Sequence, residues 1–209
     1  MIQRHFLLKT LLIFVFSGIV FSAMAAQQFV AFHPAPDEWQ LEQLTVSVAP
    51  GEHSCVQLAA KNLLADFGKV TGRTASFTDA QAEVLIGTVG VNRQIDQWVS
   101  QGELRQLKGK TEKYIIKTIG RQLVIAGSDK RGTVYGIYEL SKQMGVSPWY
   151  YWADVPVEKH ATIYIKKGEY TDGEPAVRYR GLFLNDEAPC LTTWVKNTFG
   201  NNYGGHQFY

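Results

Sequence analysis

The stretch Val177-Arg178-Tyr179-Arg180-Gly181-Leu182-Phe183-Leu184-Asn185-Asp186-Glu187-Ala188-Pro189 decides how the chain is organised. Through Leu184 it is an apolar run of strand length, and it ends abruptly in Asn185-Asp186-Glu187. In a (β/α)8 barrel the catalytic side chains sit at the carboxyl ends of strands, so carboxylates at that point read as site residues rather than surface charges. Asp186 shares strand parity with Leu182 and Leu184, and Glu187 shares it with Phe183. Both sets are apolar, as expected for a strand buried on both faces, so parity does not choose between the two acids. Neighbouring residues on a strand point to opposite faces, so the pair is not expected to serve together as acid and base. Arg178 and Arg180 have the chemistry to grip a carboxylate, but they stand at the start of the strand, away from the catalytic mouth.

Upstream of this strand, Gly168 to Pro175 is rich in Gly, Glu, Asp and Pro and lacks apolar periodicity. It suggests a division into residues 26–168, a linker at 169–176, and the start of a second domain at 177–209. The first domain reads as an α/β (α+β) mixture of strands and helices. Leu44 to Ala49 alternates apolar and polar residues as a half-buried strand does, and Pro50-Gly51 ends it. Ser54 and Gln57 have capping-box spacing for a following helix. In that helix Val56, Ala59, Ala60, Leu63, Leu64 and Phe67 share one face, and Gly72 stands where it should end. Val84-Leu85-Ile86 is a continuous apolar run expected in a strand covered on both sides. A short helix is expected within Ile95 to Leu107.

Lys113 to Ile119 and Gln122 to Ala126 are β-branched-rich runs joined by Gly120-Arg121, the two-residue connection of a hairpin. Asp129 to Met144 is the second clear helix, with Val134, Ile137, Tyr138 and Leu140 on its apolar side and Gly145 at its end. Its interior glycines Gly132 and Gly136 each cost helix stability, which implies a close approach of the helix backbone to a sheet. The loop Gly127 to Thr133 invites comparison with a phosphate loop, but Thr133 stands where the lysine belongs, and nucleotide binding is not expected. Ala161 to Lys167 is a further alternating strand.

At the other end, Arg4, His5 and Lys9 precede the apolar run Leu11 to Val20, and Ala23-Met24-Ala25 follows with small residues at a signal-peptidase spacing. The run is shorter than the ~20 residues that span a bilayer, so residues 1–25 read as a secretory signal and the mature chain as secreted or periplasmic, without a membrane partner. Removing the signal takes away Arg4 and Lys9 and leaves 19 basic against 19 acidic residues. A neutral chain without a Lys/Arg run offers no footprint for nucleic acid. Cys55 and Cys190 fall in different domains without paired spacing and are expected as two separate buried thiols. They form no CxxC pattern and the five histidines are scattered, so no metal is expected. Nothing in the sequence speaks to oligomeric state.

Tyr179 to Pro189 resembles the first barrel strand of glycoside hydrolase family 115, the xylan α-1,2-glucuronidases. Gly145-Val146-Ser147-Pro148-Trp149-Tyr150-Tyr151-Trp152-Ala153-Asp154-Val155-Pro156 looks like the aromatic segment that closes that family's non-catalytic first domain. Phe199-Gly200 and Phe208-Tyr209 resemble its entry into the first barrel helix. The resemblance implies a small mixed-sheet domain similar to the hexosaminidase-type non-catalytic domain, followed by the first strand of a truncated (β/α)8 barrel. It implies inverting hydrolysis of the α-1,2 bond that joins glucuronic acid, or its 4-O-methyl form, to glucuronoxylan or its oligosaccharides, with no cofactor. Asp186 matches the acidic position of the family motif and is the expected catalytic carboxylate, with Asn185, Glu187 and Trp152 as substrate-binding neighbours. Cys190 replaces a small apolar residue of the family. The aromatic segment either stacks on sugar rings or packs between domains, and packing suits its size better. On this reading the chain is inactive alone, since one strand cannot bring two carboxylates together. The alternative is a non-catalytic carbohydrate-binding or interaction module.

Overall fold

A computed structural model describes residues 28–150, 153–181, 183–185 and 206–208. The proposed signal, Tyr151, Trp152, Leu182, Asp186, Glu187, Cys190 and Phe199-Gly200 lie outside the described residues. The chain divides into two compact units, the first ending at Glu174 and the second beginning at Pro175.

The first unit is built on a six-stranded mixed sheet. Its strands are β3 (Leu44–Val48), β4 (Ala75–Phe77), β5 (Val84–Thr88), β6 (Tyr114–Ile119), β7 (Gln122–Gly127) and β9 (Glu169–Tyr170), in the order β4-β3-β5-β7-β6-β9. The first four are parallel, and β6 runs antiparallel to both β7 and β9. A smaller antiparallel sheet has the order β1-β8-β2, from Val30–Ala31, Tyr164–Lys166 and Glu38–Gln40.

Helices α1 (Ser54–Thr71) and α3 (Lys130–Met144) cover one face of the large sheet. There Val56, Leu63, Phe67, Ile137 and Leu140 meet Leu44, Val46, Ile86 and Ile125, all fully buried. Helix α2 (Arg93–Gln101) and a short 3-10 turn (Arg105–Leu107) cover the other face, where Ile95, Leu104 and Leu107 pack on Ile115, Val124 and Ala126. Apolar cover on both sides explains why Val84-Leu85-Ile86 shows no polar alternation.

Sequence and structure part at several places. Ser54 is already helical, so the capping box does not form. A turn closed by Glu52 N–H on Ala49 O (2.9 Å) brings His53 to the N-cap, and Gln57 Nε2 donates to the carbonyls of Pro50 and Glu52. Tyr138, expected on the apolar face of α3, is 43% exposed and its hydroxyl accepts from Asn62 Nδ2 at 2.8 Å. Cys55 is exposed rather than buried, because it lies on the solvent side of α1. The strand expected over Ala161 to Lys167 is confined to Tyr164–Lys166.

The close approach inferred from the α3 glycines is present. A Cβ on Gly132 would lie 2.4 Å from the carbonyl oxygen of Lys113, and one on Gly136 would lie 2.8 Å from Ile125 Cγ2. Gly127, at the end of β7, faces the backbone nitrogen of Thr133 at 2.1 Å from where its Cβ would be. The hairpin turn at Gly120-Arg121 joins β6 and β7 as expected, with Gly120 at φ 63°.

Candidate functional site

In the second unit, β10 (Phe183–Asn185) pairs antiparallel with β11 (His206–Phe208), Asn185 standing opposite His206. Asn185 is therefore at the carboxyl end of a strand, where the expected chemistry is concentrated. Its neighbours Asp186 and Glu187, and Trp152 of the aromatic segment, lie outside the described residues. Barrel strands run parallel to their neighbours. The antiparallel β10–β11 ladder does not confirm a barrel, and it puts Phe208 in a returning strand rather than at the entry to a helix. Arg178 and Arg180 precede β10. The Arg178 guanidinium lies 5.4 Å from the centre of the Tyr179 ring, and Arg180 donates to the carbonyl of Val177.

In the aromatic segment, Trp149 is 64% exposed. Tyr150 is half-buried beneath the Lys69 ammonium, 4.7 Å above its ring. The Tyr150 N–H donates to Ser147 O at 3.0 Å and the Ala153 N–H to Trp149 O at 2.9 Å.

The chain leaves the first unit through a clasp. Residues 169–174, read from sequence as linker, are tied to the first unit by β9 and by side chains. The Tyr114 hydroxyl donates to Asp172 Oδ2 at 2.6 Å, and the Thr171 hydroxyl donates to the carbonyl of Tyr114. Glu174 accepts from Thr111 N–H at 2.9 Å and from Lys110 Nζ at 2.8 Å. Burial first, and the bond to the Asp172 carboxylate second, hold the Tyr114 phenol well above the usual tyrosine range. The bonds from Lys110 and Thr111 hold the Glu174 carboxyl below its ordinary value. No local pattern signals these partners, because Tyr114 and Asp172 are 58 residues apart.

At the carboxyl ends of the parallel strands sits Glu52, which the sequence reading passed over. It is 4% exposed, and its Oε2 accepts from Thr88 N–H at 2.9 Å while Oε1 accepts from His53 N–H at 3.0 Å. The hydroxyls of Thr88 and Thr133 meet at 2.7 Å. The Gly127–Thr133 loop is filled by its own carboxylate: Asp129 Oδ1 accepts from Gly132 N–H and Oδ2 from Glu112 N–H.

The family model described as glycosyl hydrolase family 67 N-terminus matches residues 33–140, just over half of the chain, and that of glycosyl hydrolase family 115 matches residues 172–209. The fold is similar to that of a solved family 115 4-O-methyl-α-glucuronidase with specificity for decorated arabinogalactans, at 32% identity and a TM-score of 0.67 over 80% of this chain. The chain belongs to glycosyl hydrolase family 115, with a family 67-type N-terminal domain. This family 115 chain spans 22% of the length of that enzyme. Weaker likeness extends to an exo-β-N-acetylglucosaminidase of family 20 from Vibrio harveyi, at 14% identity and a TM-score of 0.43, covering 73% of the family 115 chain and 19% of the other. A Streptomyces plicatus β-hexosaminidase stands similarly, at 13% identity and 0.44, covering 70% and 25%. No curated protein matches the family 115 chain. Among the described residues no helix is long and apolar enough to cross a membrane.

Proposed function

We propose that these residues form the N-terminal part of an exported α-glucuronidase that removes glucuronic acid, or its 4-O-methyl form, from a plant polysaccharide with inversion at the anomeric carbon. The observation that carries this reading is the 32% identity, over 80% of the chain, to a glucuronidase of the same family. Inverting hydrolysis uses two carboxyl groups about 6.5–9.5 Å apart, one protonating the leaving oxygen and one activating water. We assign one of them to Asp186, the residue that follows β10 in sequence, with Asn185 and Glu187 as its positioning neighbours. Its partner belongs to another strand of a complete catalytic domain, so residues 1–209 alone are inactive. Glucuronoxylan is the proposed substrate, and decorated arabinogalactan, acted on by the similar enzyme, is its competitor.

The test uses the 209-residue chain and a chimera in which it replaces the matching N-terminal part of that enzyme. The chain alone is expected to release no uronic acid from aldouronic acids, and release at an enzyme-like rate would overturn the division of the carboxylates. The chimera is expected to be active, with β-configured uronic acid appearing first by NMR. Asp186→Asn should lower its rate by ~100-fold to ~10,000-fold, the range for losing a general acid or base. An unchanged rate would remove Asp186 from the mechanism.

A second reading, a module that binds sugar without cleaving it, is favoured by the outward-facing Trp149. Saturable heat on titrating the chain with xylo-oligosaccharides, abolished by Trp149→Ala or Trp152→Ala, would support it. No heat would dismiss it.

A further inference from the structure

We propose that Glu52 is a built-in ligand: its carboxylate fills an anion position at the switch point of the six-stranded sheet and closes a latent binding site for small carboxylates. Open α/β sheets take ligands outside the carboxyl ends of neighbouring parallel strands whose following helices lie on opposite faces. Strands β3 and β5 are such a pair. They are parallel neighbours, with Val48 opposite Ile86. Helix α1 follows β3 onto the face of Leu44 and Val46, and α2 follows β5 onto the face of Val124 and Ala126.

The Glu52 carboxylate lies at that point. One oxygen takes the N–H of Thr88, the last residue of β5, and the other takes the N–H of His53, the N-cap of α1. Two backbone N–H groups from a strand end and a helix start are the donors with which such crevices hold bound anions. A helix cap bonds within its own first turn, as Asp129 does to Gly132, whereas Glu52 reaches a strand 36 residues away. The side chain is buried, α1 has no side-chain cap and no acidic residue in its first turn, and among the described residues no cation pairs with Glu52. The backbone donors therefore carry the charge. Around them the Thr88–Thr133 hydroxyl contact binds the strand end to α3, so the position is walled by fixed groups. In the native chain the first unit then has no vacancy for an added anion there, and truncating the side chain opens one of formate or acetate size.

Melting of the whole 209-residue chain, followed by circular dichroism in sodium formate or acetate against sodium chloride at equal ionic strength, tests this. Glu52→Ala is expected to melt several degrees below the native chain, and formate or acetate should restore most of that loss with saturation. The native chain should show no saturable effect. Glu52→Gln keeps the position filled with one acceptor oxygen, so it should melt between the two and gain nothing from formate. If Glu52→Ala does not fold in chloride, recovery of a cooperative transition in acetate supports the proposal, and failure in every carboxylate overturns it. Equal response of all three proteins to formate, or a Glu52→Ala melting point equal to native, also overturns it.

Discussion

Gly68 and Gly132 are both helical glycines, yet alanine at the two positions is expected to move stability in opposite directions. A Cβ at Gly68 meets only Arg73 O at 3.5 Å, ordinary contact, so Gly68→Ala should gain ~0.5–1 kcal/mol from the reduced freedom of the unfolded chain. A Cβ at Gly132 would stand 2.4 Å from the Lys113 carbonyl and 3.1 Å from Glu112 C, both backbone atoms that cannot swing aside. Gly132→Ala should therefore cost ~1–3 kcal/mol or more, as overpacking does. Urea unfolding of the two variants gives the signs directly, and the same sign for both would refute the close approach of α3 to β6. Asp129→Ala belongs to the same scale. It strands the N–H groups of Gly132 and Glu112, and a loss of ~1–2 kcal/mol is expected in the same measurement.

At the scale of elements, the clasp on residues 171–174 gives a pH dependence. The Tyr114 phenol is raised above its unfolded value, so its contribution to stability is complete below about pH 10 and is lost as pH rises beyond it. Tyr114→Phe lacks that contribution at every pH, so the stability gap between native and variant should narrow from pH 9 to pH 11 in urea titrations. Glu174 is lowered, so its contribution is present at neutral pH and fades as pH falls through the acidic carboxyl range. Hydrogen exchange of Thr171 to Glu174 should be faster in Tyr114→Phe than in the native chain. The elements themselves were legible to unequal degrees. Helices α1 and α3 and the β6–β7 hairpin announce themselves by spacing and by terminal glycines, because their pattern repeats over several turns or residues. Strands β1 and β9 have two residues each, too few to show a period, and they exist because a distant strand accepts them. Ser54 and Gln57 carry the capping-box letters without the geometry, since the turn at Ala49–Glu52 sets the helix start one residue earlier. Tyr138 sits at the margin of its helix stripe, where a long aromatic with a polar tip can turn outward to Asn62.

For the whole molecule, the sequence concentrates polar residues after an apolar strand, and Asn185 is the last residue of β10. On the proposed mechanism, spacing could not supply the second carboxylate, because acid and base meet through tertiary structure. Glu52 was missed for a related reason, since its importance lies in the fold-level position of two strands and not in any local motif. Export is open to a simple check: N-terminal sequencing of the protein recovered from a secreting host should begin just after Ala25, and retention of Met1 would refute the signal. The small antiparallel sheet has a consequence of its own. Strand β1 lies alongside β8, with Val30 opposite Ile165 and Lys166 N–H bonded to Phe29 O, and the Phe29 ring lies 5.0 Å from that of Tyr170 in β9, so the first described strand sits beside the last strands of the first unit. Such a unit is a cassette. New ends opened at the exposed Gly120-Arg121 turn, with a short linker joining the old ones, should give a circular permutant that still unfolds cooperatively. The same geometry lets a lineage insert or excise the unit in one piece without rethreading whatever polypeptide carries it.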